Sequence, residues 1–247
     1  MRGLIVATQF LTRLPVPSLR NFQAVDLARS ANWFPIVGVL VGACVGCAGL
    51  GGALVESWVG ALLATIAWVW ITGALHVDGL ADLADALGAS HRDRSRFLDV
   101  LHDPHLGVFG ASALFLALAS KLVLLHLLLS GIEHAFASVI LICAWARLGP
   151  IAWSRWLPPL SEGAGERFSW QVGTGAIVAW SVALLGVSLW FAPLLIIAPF
   201  LIASWGLYLH VRLGGMTGDC LGAGVEVVEI ALLLVTAIGH VPIEVSM

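Results

Sequence analysis

The chain has 247 residues, 60% of them hydrophobic and only 11% charged, with a mean hydropathy of +0.97 and a formal net charge of −3. A soluble domain usually carries about 25% charged residues, and a soluble surface at this length must be wetted by something. The composition therefore excludes an ordinary soluble protein and points to an all-α, polytopic membrane protein. Twelve basic against 15 acidic residues leave no electrostatic footprint for nucleic acid.

Residues 4–12 are apolar but too short to cross a bilayer, so this segment is expected to lie at the interface or to re-enter. No cleavable leader is evident, since the start carries Arg13 and lacks a small-residue cleavage site. Seven later stretches reach spanning length: roughly 33–55, 58–75, 107–130, 135–153, 174–191, 193–209 and 227–245. No linker or internal repeat divides the chain, so one domain, 1–247, is expected. The first span carries Gly38, Gly42 and Gly46 at intervals of four, a ladder of small residues that lets another helix approach closely. It also contains Cys44 and Cys47; inside an apolar run this C-x-x-C reads as packing rather than metal or redox chemistry.

Positive charge is distributed asymmetrically. With the N-terminus inside, segments 1–32, 76–106, 154–173 and 210–226 face the cytoplasm and hold 10 of the 12 basic residues. The remaining two, Lys121 and Arg147, fall within spans. The positive-inside rule then predicts a cytoplasmic N-terminus and an external C-terminus. Lys121 is the only lysine, and a charge within a span is by default a functional candidate, but the sequence names no partner for it.

The acids cluster on the same side as the arginines. Asp78, Asp82 and Asp85 fall at i, i+4 and i+7, which places three carboxylates on one face of a helix. An Asp within a bilayer costs about 2.5–3.5 kcal/mol on insertion scales, and like charges at this spacing repel. A hard divalent cation with oxygen ligands, most simply Mg²⁺, relieves both penalties. The following loop adds Arg92, Arg94, Arg96 and Asp103, the last flanked by His102 and His105 and leading to Gly107 and Gly110. Its arginines suit phosphate contacts or membrane anchoring equally. Asp103 is a further candidate metal ligand, and the carboxylate surroundings favour magnesium over zinc.

A second acidic patch precedes and enters the last span. Gly214, Gly215 and Gly218, with Thr217 among them, form a turn whose backbone N–H groups can approach phosphate oxygens. Asp219, Glu226 and Glu229 follow. Two acidic helix ends facing one cytoplasmic cavity would make a metal site of the phosphoryl-transfer kind. Nucleophilic alternatives are poor: there is no G-x-S-x-G, and Cys220 beside Asp219 is a disfavoured thiolate.

These motifs resemble the adenosylcobinamide-GDP ribazoletransferase family, also called cobalamin 5′-phosphate synthase. The similarity rests on Phe10–Pro17, Trp33–Gly38, the H-x-D-G-x-x-D-x-x-D run from His76 to Asp85, Asp103–Gly110, and Gly214–Glu229, which occur in the family's order. Ala86 departs from it, the family often having Gly there, and His102 and His105 are not residues of its pattern. The resemblance implies the last assembly of the cobalamin nucleotide loop in the cytoplasmic membrane of prokaryotes. A ribose hydroxyl of α-ribazole, or of its 5′-phosphate, attacks the cobinamide-linked phosphate of adenosylcobinamide-GDP, and GMP leaves. It further implies a divalent cation, Mg²⁺ with Mn²⁺ as a substitute. Association with other enzymes of the cobamide pathway and a homo-oligomeric state are compatible with it.

On that reading Asp78, Asp82, Asp103, Asp219 and Glu226 are expected to ligate metal, with Asp85 as general base. His76 and Arg96 are expected to bind pyrophosphate oxygens, Gly215, Thr217 and Gly218 to cradle phosphate, and Arg13 to hold substrate at the membrane surface. Two rival readings use the same acids. An ion-coupled transporter would combine them with Lys121, and a headgroup transferase would act on CDP-activated alcohols.

Overall fold

The computed structural model describes residues 2–17, 24–90, 93–131, 134–160 and 173–239. Arg20, Arg92, Arg167 and the stretch 240–245 of the expected last span lie outside them. Among the described residues the elements are α1 (Arg2–Leu11), α2 (Ala24–Ser30), α3 (Phe34–Ala53), α4 (Ser57–Thr72), α5 (Leu75–Ser90) and α6 (Arg94–Leu101). They continue with α7 (Val108–Leu129), α8 (Ala135–Trp156), α9 (Thr174–Phe191), α10 (Ala198–Leu213) and α11 (Gly218–Ile238). Short 3-10 turns at Ala31–Trp33 and Pro193–Ile197 lead into α3 and α10. One isolated bridge, Pro159 to Met216, is the only β-type pairing among the described residues.

Among the described residues six helical stretches are long and apolar enough to cross a membrane: Asp26–Ala53, Val108–Leu129, Ala135–Trp156, Thr174–Phe191, Pro193–Leu213 and Gly218–Ile238. The pair α4 and α5 makes a seventh if taken together, but it is bent by 84° at its break. The expected span 58–75 therefore ends at Thr72. Gly73, with φ of 60°, takes the left-handed conformation that closes α4, and Ala74 repeats it at φ of 63°. The break is braced from outside α4, because the Arg13 N–H donates to the Ile71 carbonyl at 2.7 Å. Non-helical backbone within a membrane protein needs such a partner.

α8 is the central helix: 83% of its apolar window is buried, against 17% for the peripheral α9. The glycine ladder on α3 packs against it. A Cβ on Gly42 would lie 2.5 Å from the Ile140 Cα, and one on Gly38 would lie 2.5 Å from the Cys143 carbonyl oxygen. The helices thus touch backbone to backbone, as the spacing of small residues suggests. α1 remains a ten-residue helix that buries Val6, Ala7, Thr8 and Leu11 against α2 and α3 without spanning anything.

The last span starts nine residues earlier than hydropathy suggests. Thr217 caps α11, its hydroxyl accepting from the Cys220 N–H at 3.3 Å, and the helix then runs unbroken through Asp219, Glu226 and Glu229. Hydropathy places a boundary after such acids; partners elsewhere in the fold make the boundary unnecessary.

Candidate active site

Two close helix contacts assemble the acidic site. α5 crosses the start of α11 where Gly79 leaves room: a Cβ there would lie 3.0 Å from the Asp219 Cα. Gly222 in turn sits against the His76 backbone. Asp219 is thereby brought beside the Asp face of α5. Asp78 and Asp219 act electrostatically on each other and both act on Asp82. Asp78 is exposed, and Asp82 and Asp219 are half-buried, so this group opens outward.

Asp85, expected as general base, is tied into the fold. It is buried, and its two carboxylate oxygens accept from the Gly107 N–H at 2.7 Å and the Gly110 N–H at 2.8 Å. These are orphan donors at the start of α7, so Asp85 clamps α7 to α5 through a remote cap. Glu226, expected at the metal, is buried and points to Lys121 instead. Nζ of Lys121 lies 2.8 Å from Glu226 Oε2, at an angle short of a hydrogen bond, and 2.6 Å from Glu229 Oε2. Arg147 Nη1 pairs with Glu229 Oε1, which also accepts from the Trp68 indole at 3.3 Å. Lys121 sits 4.3 Å above the Trp68 ring. Two cations and two carboxylates from α7, α8 and α11 thus form one buried, charge-balanced group. It supplies the partner that the sequence could not name for Lys121.

His76 lies beside that group, under electrostatic influence from Arg147, Glu229 and Lys121, and is 3% exposed. It is buried rather than open, and lines a cavity of about 240 Å³ together with Phe10, Leu11, Phe34, Pro150 and Asp219, the last being one of the open carboxylates. Gly215 is buried against the Pro158 carbonyl oxygen, 2.5 Å from where its Cβ would lie, so protein backbone approaches it on that side. Thr217 is a helix cap. Gly218, at the start of α11, faces open space, as does Gly214.

The connecting loop is more dispersed than its sequence suggests. Asp103 is exposed and held by His105, whose N–H donates to it at 3.0 Å and whose Nδ1 lies 2.6 Å away. That side chain, with the backbone donor, keeps the Asp103 carboxyl below its usual range. Asp103 is not among the groups acting on Asp82 or Asp219, whereas its neighbour His102 does act on Asp219. Arg96 is exposed on α6 beside Asp93. Arg94 shares a cleft of about 420 Å³ with Arg212, Ser90 and Asp93. From sequence Arg212 counts only among the cytoplasmic basic residues, just before the glycine turn, and not as a site residue. Arg13 lies exposed across Gly73 at the α4–α5 break and borders a lateral groove with Trp70 and Leu118.

Among the described residues no three His, Cys, Asp or Glu side chains converge as a ready-made metal site. The open group still suits a hard cation, because Asp78, Asp82 and Asp219 offer only carboxylate oxygens. Mg²⁺ is commonly held by one or two carboxylates plus substrate phosphates rather than by a complete protein cage.

Comparison with known proteins agrees over nearly the whole chain. The cobalamin-5-phosphate synthase family matches residues 3–237. An adenosylcobinamide-GDP ribazoletransferase of Thiobacillus denitrificans is 50% identical over 238 residues, 96% of each chain. One from Novosphingobium aromaticivorans is 49% identical over 241 residues, 96% of this chain and 97% of its own. One from Klebsiella pneumoniae is 35% identical over 247 residues, covering 95% and 98%. No solved structure matches the chain significantly. With a full-length family match and half-identical relatives, the chain belongs to the cobalamin-5-phosphate synthase family.

Proposed function

We infer that this chain joins adenosylcobinamide-GDP to α-ribazole or its 5′-phosphate and releases GMP at the cytoplasmic face of the membrane. The observation that carries the reading is the contact at Gly79, which sets Asp219 of α11 beside Asp78 and Asp82 of α5 in an open, all-carboxylate group. The distribution of arginines supports the cytoplasmic placement. Counting the bent pair as one span gives seven crossings, and its 84° break leaves Asp78 and Asp82 of α5 on the open side.

Asp78, Asp82 and Asp219 would hold Mg²⁺, or Mn²⁺ in its place, together with the substrate phosphates. Bound there, the cation supplies neutralisation of the charge that develops on the departing phosphate. A ribose hydroxyl forms the new bond to the cobinamide-linked phosphorus while the bond to the GMP oxygen breaks. Its proton passes to a carboxylate. Asp85 is committed to two N–H donors, so Asp78, the most exposed of the four, takes that role where Asp82 and Asp219 with the substrate phosphates suffice to hold the cation. Arg94 and Arg212 in their shared cleft, with Arg96 nearby on α6, attract the anionic substrates. Arg13 faces the lateral groove, at the level where a membrane-associated corrinoid approaches.

The test is GMP release by the full chain in proteoliposomes. Release should require both substrates and a divalent cation, and Asp82→Asn should slow it by about two orders of magnitude. Near-normal rates for that variant with unchanged Mg²⁺ dependence would remove Asp82 from the metal set. Substrate uptake into sealed vesicles without GMP release would replace the enzyme with a transporter.

A further inference from the structure

A groove of about 490 Å³ runs along the outside of α4 where it meets α7, lined by Ile66, Val69, Trp70 and Leu118 and ending at Gly73 and Arg13. Ile66 and Trp70 are 52% and 76% exposed. In a bundle of spanning helices a surface this apolar borders hydrocarbon, and an indole one turn before the end of α4 suits the headgroup level. Of the residues lining the groove only Arg13 is charged. Its backbone N–H donates to the Ile71 carbonyl, which fixes it at the α4–α5 break, and its side chain lies across Gly73. The guanidinium has no ion-pair or hydrogen-bond partner among the described residues. Five donors in a rigid fork thus stand at the end of an apolar channel, and that combination fits an amphiphile with an anionic head.

We propose that this groove binds one anionic phospholipid, with its phosphate on the Arg13 fork and an acyl chain along Ile66, Val69 and Leu118. Phosphate oxygens accept from two guanidinium N–H groups at once. An anionic headgroup supplies the negative charge that Arg13 lacks, whereas a zwitterionic lipid brings a cation of its own beside the guanidinium. Adenosylcobinamide-GDP also carries phosphates, but the amide-bearing rim of a corrinoid would lose water against side chains that return no hydrogen bonds. Seated here, the lipid covers the break from which α5 carries Asp78 and Asp82.

The experiment reads Trp70 fluorescence from the full chain in phosphatidylcholine nanodiscs doped with dibrominated phosphatidylglycerol or dibrominated phosphatidylcholine. Bromine quenches an indole only at contact range, and subtracting the emission of Trp70→Phe isolates Trp70 from the other tryptophans. Half-maximal quenching should need about five-fold less of the phosphatidylglycerol, the preference that one Arg confers for an anionic lipid. Arg13→Gln should make the two lipids equal. Leu118→Phe, which narrows the groove and leaves Arg13 in place, should weaken quenching by both. Thermal denaturation establishes that each variant is folded. Should Arg13→Gln not fold, about 1 M salt applied to wild type serves instead, because screening at an exposed guanidinium removes the preference. Equal quenching by the two lipids in wild type, or a preference that survives both Arg13→Gln and salt, would overturn the proposal. So would recovery of Trp70 emission on adding adenosylcobinamide-GDP, which would give the groove to the substrate, or on placing two chains in one disc, which would give it to a second copy. None of these readouts involves GMP release, so the lipid site stands or falls apart from the transferase reading.

Discussion

Replacing Glu229 with Gln removes one charge from a group of two cations and two carboxylates inside the helical bundle. Glu229 receives three donors, from Lys121, Arg147 and Trp68, and is fully buried. Its neutral form leaves Arg147 without its acidic partner, and Arg147 Nε and Nη2 already have none. Breaking a buried ion pair from one side costs about 3–5 kcal/mol, which in a chain of this size lowers Tm by roughly 6–20 °C. Glu226 Oε2 lies 2.8 Å from Lys121 without hydrogen-bond geometry, against three donors on Glu229, so Glu226→Gln should cost less than Glu229→Gln. Because the four groups share one site, Lys121→Met combined with Glu226→Gln should cost less than the sum of the two by about 1 kcal/mol or more. The assay is thermal unfolding of purified protein in detergent, followed by tryptophan fluorescence. A loss below about 1 kcal/mol for Glu229→Gln, or strict additivity in the double variant, would refute the view that these charges hold α7, α8 and α11 together.

Gly42→Val places side-chain atoms where α3 meets the Ile140 backbone, and overpacking of this kind costs about 1–3 kcal/mol; an unchanged melting point would show that the helices can separate freely. Asp85→Ala strands two N–H donors at the start of α7 and should cost about 1–2 kcal/mol, with Asp85→Asn recovering part of it. If Asp85 were instead the proton acceptor, Asp85→Asn would abolish GMP release at full stability. The Ser95 hydroxyl, followed by the Arg96 and Ser95 N–H groups, holds the Asp93 carboxyl below its ordinary value of 3.8. The lowered value means that this cap supports α6 at pH above the unfolded value and is lost as pH falls through the folded one. Proteolysis across α6 should therefore accelerate on acidification below about pH 4, and Asp93→Ala should remove that dependence; an identical acid response in the variant would exclude the cap as its cause.

The acids show how far local spacing reaches. Asp78, Asp82 and Asp85 do share a helix, as i, i+4, i+7 requires, and the resemblance named the right family. Yet the three do not share an environment. Asp85 stands one turn further along, where α7 begins, and two backbone donors claim it. Glu226 and Glu229 look from sequence like a continuation of Asp219, but two helical turns carry them inward to Lys121 and Arg147. The turn around Gly215 and Thr217 has the composition of a phosphate cradle, and within the fold Gly215 is also a packing contact and Thr217 a helix cap.

Composition and hydropathy by themselves determined that this is an α-helical membrane protein, because too few charges exist to wet a soluble surface. The small-residue ladder of α3 was legible for the same reason: period and side-chain size depend on nothing outside the segment. The tertiary structure decided which charges open to water and which neutralise one another inside. That outcome depends on pairs such as Lys121 and Glu229, 108 residues apart, and on the 84° break that turns α5 out of line with α4. A low-dielectric interior demands that every buried charge be paired, but only the crossing of helices selects the partner.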